Sequence, residues 1–286
     1  MTLENKYKKE SDLMNYRKEL KNTKRLVVKL GTSTLTHPNG KLNFGRIDLI
    51  ARILSDLKNM GLEIVLVTSG AIGTGTIRLG MKEKPSDLPG KQAAAAIGQA
   101  ALMRIYEKFF QTYDQVVAQA LITKSVLDNP HTKNNAENTF NRLLEWGTIP
   151  IVNENDTIAT DEIEAGYKGR MEFGDNDTLS ATVAALINAD LLVLMSDIDG
   201  LFTADPRKDP KAKILRIVEK IDDEIEDAAE GTGSDFGTGG MVTKIRAAKI
   251  CKSAGISTLI MNGDSPELLY AALDGFDIGT LFPAKA

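Results

Sequence analysis

The sequence predicts an α/β fold, a three-layer α/β/α sandwich around a mostly parallel central sheet. Three observations predict it. Apolar, β-branched runs such as Leu26-Val27-Val28 and Ile64-Val65-Leu66-Val67 lack polar alternation, as strands buried on both faces do. Amphipathic stretches of helical period separate these runs. Glycines or polar clusters end them. Such alternation places helices on both faces of a parallel sheet.

In chain order, residues 1–24 are rich in Lys, Glu and Asn, with a weak apolar face at Leu13, Met14 and Tyr16. They read as a solvated helical extension, a partner-binding arm being the alternative. Arg25 to Gly31 reads as the first strand. Ile47, Ile50, Ile53, Leu54 and Leu57 mark a helix that stops at Gly61. A strand from Glu63 to Thr68 runs into a Gly-rich helical stretch ending at Gly80. Gln92 to Tyr113 is an Ala-rich helix, Gln115 to Leu121 a strand, Asn134 to Trp146 a helix and Thr148 to Val152 a strand. Thr157 to Glu164 suits a polar hairpin. Asp177 to Asn188 is a helix, Leu191 to Met195 a strand and Ile214 to Val218 a short strand in a more polar region. Lys244 to Ala254 is a helix and Ser257 to Met261 a strand. No linker composition and no repeat divides the chain. Residues 25–286 are expected as one domain, with lobes of about 25–190 and 191–286.

Composition narrows the function. A net charge of -4 argues against nucleic acid, whose phosphates call for a basic face. No apolar run is long enough to span a bilayer, and the N-terminus lacks a signal-peptide core, so a cytoplasmic, membrane-free protein is expected. His37, His131 and the single Cys251 build no zinc site of the usual spacing.

The chemistry-bearing residues follow strands, where open parallel sheets bind ligands. Lys29 ends an apolar strand, and its ammonium must reach water or an anion. Ser69-Gly70-Ala71 exposes backbone N–H groups at a helix start, or simply turns the chain. Asn153-Glu154-Asn155-Asp156 suits a small polar ligand, with a capped turn as the alternative. In Gly174-Asp175-Asn176-Asp177-Thr178 one residue suffices as a helix cap, which leaves two polar residues to explain. Ser196-Asp197 follows the strand at Leu191; Phe202 to Arg207 then reads as an exposed turn. Gly237-Thr238-Gly239-Gly240-Met241-Val242-Thr243-Lys244 puts three glycines and a lysine at a helix start, which suits a polyphosphate. It does not match the P-loop pattern. Lysines, glycines and carboxylates on one sheet edge fit phosphoryl transfer.

Six motifs in this order, Val-Val-Lys-Leu-Gly-Thr-Ser, Val-Thr-Ser-Gly-Ala, Val-Asn-Glu-Asn-Asp, Phe-Gly-Asp-Asn-Asp, Ser-Asp-x-x-Gly-Leu-Phe and Gly-Thr-Gly-Gly-Met-x-Thr-Lys, resemble the amino acid kinase family, from Arg25 to about Phe282. Within the family the chain is most similar to members that phosphorylate the γ-carboxylate of L-glutamate, the first step of proline synthesis. Members acting on aspartate, acetylglutamate or uridylate are alternatives, as is a non-catalytic regulator on the same fold.

The resemblance implies ATP and Mg²⁺ as cofactors, with Lys29 and Lys244 as phosphate-binding lysines and Asp177 between them. It places Ser69, Asp156 and Asn176 on glutamate, with Asn153 and Asp175 nearby. Gly70 and Ala71, with Ser196, Asp197 and the run Thr238, Gly239, Gly240, Met241, Val242, Thr243 and Lys244, would serve the nucleotide. It also implies feedback inhibition by proline with a lid at Thr157 to Gly169, a homodimer or homotetramer, and conceivable coupling to the next enzyme of the pathway. Many relatives carry a C-terminal PUA domain, which this chain is expected to lack, and Ser196 stands where many have Thr. A carboxylate nucleophile is ionised at pH 7, so this chemistry calls for no general base.

Overall fold

The computed structural model describes residues 10–123, 128–158, 176–230 and 240–284. Its strands are β1 (Arg25–Leu30), β2 (Glu63–Val67), β3 (Val117–Ile122), β4 (Ile149–Glu154), β5 (Leu191–Ser196), β6 (Ser257–Asn262) and β7 (Thr280–Phe282). They form one sheet in the order β3-β4-β2-β1-β5-β6-β7. All pairs are parallel except the last, β6 with β7. The helices are α1 (Glu10–Glu19), α2 (Thr32–Leu35), α3 (Phe44–Asn59), α4 (Ala71–Arg78), α5 (Leu88–Thr112), α6 (Pro130–Glu145), α7 (Asn176–Leu186), α8 (Asp223–Glu230), α9 (Met241–Ser253) and α10 (Leu268–Leu273).

Strand periodicity sorts the core into two layers. Leu26, Val28 and Leu30 of β1 join a cluster with Ile50 and Leu54 of α3, Leu102 and Tyr106 of α5 and Leu269 of α10. Val27, Val65 and Leu192 face the other way, onto Phe140 of α6, Leu179 and Val183 of α7 and Ile245 and Ala248 of α9. The predicted sandwich is therefore the observed one. β1 lies between β2 and β5, so the connections diverge to opposite sides at β1 and β5. The carboxyl ends of these two strands open the crevice where such sheets bind ligands.

Several boundaries differ from the periodicity. α5 and α6 start earlier than predicted because Asp87 and Asn129 cap them, each with proline in the first turn. The expected strand from Ile214 to Val218 makes only single bridges, Phe202 with Ile214 and Ile217 with Leu281. Its pairings go to two different partners, so no ladder develops. The hairpin expected at Thr157 to Glu164 lies mostly outside the described residues.

The N-terminal helix forms, but it is not merely solvated. Arg17 is buried, and its guanidinium donates to the carbonyls of Arg216 (2.8 Å), Gly279 (3.0 Å) and Ile278 and pairs with Asp277 at 3.1 Å. Burial lowers its pKa to about 10, against the pull of Asp277. The charge-rich composition concealed one arginine that docks the extension onto the approach to β7.

Candidate active site

On β1, alternation puts Lys29 on the same face as Val27, toward α7 and α9. Its Nζ lies 2.6 Å from Asp177 Oδ1. Asp177 sits in the first turn of α7 and is fully buried. Its other oxygen, Oδ2, takes Lys244 Nζ at 3.1 Å and accepts from Thr243 Oγ1 at 2.8 Å. Both lysines are themselves almost wholly buried. Burial alone would raise the Asp177 pKa; the fields of Lys29 and Lys244, with hydrogen bonds from Lys29 and Thr243, outweigh it and hold the carboxyl well below the usual carboxylate range. Within this trio two ammonium groups share one carboxylate.

Three helices begin around this crevice. Gly70, in left-handed conformation (φ 90°), starts α4, and Gly240 starts α9; neither start has a side-chain cap. α7 begins at Asn176. Unclaimed N–H groups and helix dipoles make such termini favourable for anions. α4 is set in place by α5: a Cβ at Gly98 would lie 1.8 Å from the carbonyl oxygen of Ala71, so the two helices cross in backbone contact.

Beside the charged group lies a neutral one. Asn176 Nδ2 lies 2.9 Å from the carbonyl of Thr68, 2.9 Å from Ser69 Oγ and 3.2 Å from Asn153 Oδ1. Residues from three separate motifs thus meet at one point. Asp156, two residues beyond β4, is half-buried; burial pushes its carboxyl up to about 6.

On the far side, Ser196, Asp197, Ile198, Asp199, Phe202, Pro206, Arg207, Gly240, Met241, Lys244 and Asn262 line a cavity of about 280 Å³. Ser196 Oγ lies 3.0 Å from Asp197 Oδ1, and Asn262 Nδ2 donates to Asp199 Oδ1 at 2.7 Å. The exposed turn expected at Phe202 to Arg207 is there, with Arg207 exposed, and Phe202, Pro206 and Arg207 also wall this cavity; the turn is fastened by the buried Asp205, which accepts from the backbone N–H of Arg207.

Of the sequence-predicted residues, Lys29, Asp177, Thr243 and Lys244 converge in one cluster and Ser69, Asn153 and Asn176 in a second. Gly240, Met241, Lys244, Ser196 and Asp197 line the cavity. Gly70 and Ala71 stand at the start of α4. Val242 is partly exposed on the first turn of α9. Asp175, Thr238 and Gly239 lie outside the described residues, as does most of the expected lid at Thr157 to Gly169. Sequence reasoning missed Asn262, which stands at the carboxyl end of β6, and Gln99, an amide on the buried side of an Ala-rich helix next to a close-contact glycine.

A parallel sheet with a switch-point crevice, a lysine on each side of a buried aspartate and uncapped helix starts defines a phosphate-handling α/β protein. The chain belongs to the amino acid kinase family, whose model matches residues 24–262. It is 55% identical over 269 residues to the glutamate 5-kinase of Clostridium perfringens, covering 94% of this chain and 98% of that one. It is 50% identical over 273 residues to the glutamate 5-kinase of Clostridium acetobutylicum, covering 95% and 99%. These relatives are thus of nearly this length themselves. Among solved structures it resembles the UMP kinase of Bacillus anthracis (TM-score 0.61, 19% identity, 92% of this chain and 97% of that one). It also resembles the T. acidophilum isopentenyl phosphate kinase (TM-score 0.59, 17% identity, 90% and 99%). Both share the fold.

Proposed function

We propose that this chain transfers the γ-phosphoryl group of ATP to the γ-carboxylate of L-glutamate, forming L-glutamyl 5-phosphate for proline synthesis. Identity of about half the residues with glutamate 5-kinases over nearly the whole chain supports the substrate. The observation that carries the chemistry is the Lys29–Asp177–Lys244 bridge, set between the amide cluster and the cavity.

The residues fit a nucleotide with its magnesium. The cavity reaches the uncapped start of α9, where no atom of the described residues lies within 4 Å of the position a side chain at Gly240 would take. Among the described residues no group of three or more His, Cys, Asp or Glu is placed to hold a metal by itself. That suits Mg²⁺, which is held largely by substrate phosphates and water with one or two carboxylates. ATP brings the phosphoryl group, and Mg²⁺ offsets its charge.

The barrier is electrostatic, because an anion must approach a polyanion. The glutamate γ-carboxylate is already ionised, so one of its oxygens forms the new O–P bond while the bond to ADP breaks, and no proton moves. Lys29 and Lys244 bind the phosphates and stabilise the charge that spreads over the transferring group. Asp177 and Thr243 hold both lysines in register. Ser69 and Asn176 hold glutamate with Asn153 and Asp175 nearby, and Asp156 pairs with the substrate ammonium. Gly70 and Ala71 offer backbone N–H groups to the phosphates. Ser196, Asp197 and Thr238 to Lys244 serve the nucleotide. Residues 25–190 carry the glutamate side and 191–286 the nucleotide side.

Proline as feedback inhibitor near the glutamate site, a homo-oligomeric state, coupling to the next enzyme and a cytoplasmic location complete the reading. No helix among the described residues is long and apolar enough to cross a membrane. The test is incubation with ATP, Mg²⁺ and hydroxylamine, which traps acyl phosphates as hydroxamates. Hydroxamate is expected with glutamate and not with aspartate or acetylglutamate; product from either of those, and none from glutamate, would overturn the assignment.

A further inference from the structure

The amide cluster continues into α5. Asn153 Nδ2 donates to Gln99 Oε1 at 2.8 Å, and Gln99 is 7% exposed. Seven residues on, along the same helix face, the Tyr106 hydroxyl lies 2.7 Å from Thr68 Oγ1. Thr68 is the residue whose carbonyl meets Asn176. The bonds therefore close a ring from α5 through Gln99, Asn153, Asn176, Thr68 and Tyr106 back to α5.

A backbone carbonyl can only accept, so Thr68 O fixes which end of the Asn176 amide faces it. With Nδ2 turned that way, Asn153 must offer its oxygen to Asn176 and its nitrogen to Gln99, and Gln99 must answer with Oε1. Each amide orientation in the series is determined by its neighbour. At the other end, Ser69 Oγ accepts from Asn176 Nδ2, so the Ser69 hydroxyl proton is left to point elsewhere. A flipped Asn176 would present an acceptor to Ser69 and claim that proton.

We infer that Gln99 is a positioning residue for the amino-acid substrate: Thr68 O sets the Asn176 amide, and Gln99 holds Asn153 so that its Oδ1 supports that setting and the Ser69 hydroxyl stays available as a donor to a substrate carboxylate. The inference rests on the glutamate-kinase reading. Gln99 Nε2 and Asn176 Oδ1, the two amide atoms of the series left without a hydrogen-bond partner among the described residues, are both buried.

The test compares Gln99→Met, which keeps the length but removes the acceptor, with Gln99→Glu, which keeps an acceptor oxygen. Both are assayed for glutamate-dependent hydroxamate beside the unaltered chain. Gln99→Met is expected to raise KM for glutamate about tenfold, the scale of one lost hydrogen bond, with KM for ATP unchanged. Gln99→Glu is expected to recover most of the glutamate affinity. An unchanged KM for glutamate in Gln99→Met, a parallel rise in both KM values, or a Glu variant no better than Met would overturn the inference alone. Absence of glutamate turnover in the unaltered chain would instead overturn the functional reading beneath it.

Discussion

The two sides of the crevice hold their polar groups by opposite means. On the phosphate side, Lys29, Asp177 and Lys244 are charged, buried and bound to one another. On the amino-acid side, Ser69, Asn153, Asn176 and Gln99 are neutral and aligned by a ring of hydrogen bonds. The difference matches what each side would handle. A polyphosphate needs a net positive field that stays in place as charge shifts during transfer. A small amino acid needs donors and acceptors of fixed direction, since an amide turned by half a rotation inverts the recognition. On the proposed reading, buried paired charge serves the reaction, and fixed amide orientation, with Asp156 for the ammonium, serves selection.

Breaking the charged side should give the largest effects. Asp177→Asn removes the carboxylate to which both buried ammonium groups are bound, and is expected to cost about 3–5 kcal/mol of stability along with the activity, read by denaturant unfolding. The pH dependence has a definite sign. The folded-state pKa of Asp177 is depressed, so its contribution is present above the unfolded carboxylate value and is lost as pH falls below about 4. The Asn variant should lose that acid sensitivity.

Lys29→Ala or Lys244→Ala is expected to lower kcat by two to three orders of magnitude, on the scale of roughly 3–4 kcal/mol for a single transition-state donor, in a chain that still folds. Circular dichroism and turnover measured together separate this outcome from that of Asp177→Asn.

Smaller effects sharpen the contrast. Gly98→Ala drives a methyl group into the Ala71 carbonyl, and an overpacking cost of about 1–3 kcal/mol is expected, read as a lowered Tm. Because the same contact sets the start of α4, activity should fall with it.

On the amino-acid side, burial raises the Asp156 carboxyl to about 6. Its raised pKa means that stability falls as pH rises from about 4 to about 6, while pairing with an ammonium requires the ionised form. KM for glutamate should therefore rise as pH drops below about 6, with KM for ATP little changed. Asp156→Asn should raise KM for glutamate at every pH and flatten that dependence.

Much of this was legible in the sequence, for identifiable reasons. Unalternated β-branched runs forecast the buried strands β1, β2, β4 and β5, the strand-end rule placed Lys29 at the crevice, and the resemblance to the family's motifs paired it with Lys244, more than two hundred residues away. What the pattern concealed depended on long-range pairing or on short elements. β7 has three residues and α10 six, too few for a period to show. The antiparallel course of β7 and the bridges of Ile214 and Ile217 are set by partners far away in the chain. Arg17 lay hidden among surface charges, and its burial follows from carbonyls near residue 278. Gln99 was masked by the helix around it, since an amide at a buried helix position gives no periodic signal until the residue opposite it is known.

The central claim is that Lys29, Asp177 and Lys244 act as one unit, and a double-mutant cycle on kcat for glutamate-dependent ADP release tests it most directly. Lys29→Met and Lys244→Met are measured singly and together. The expected result is strong non-additivity, with the double variant little slower than either single one, because each loss alone already spoils the shared geometry. Losses that multiply would show two independent phosphate contacts and contradict the claim.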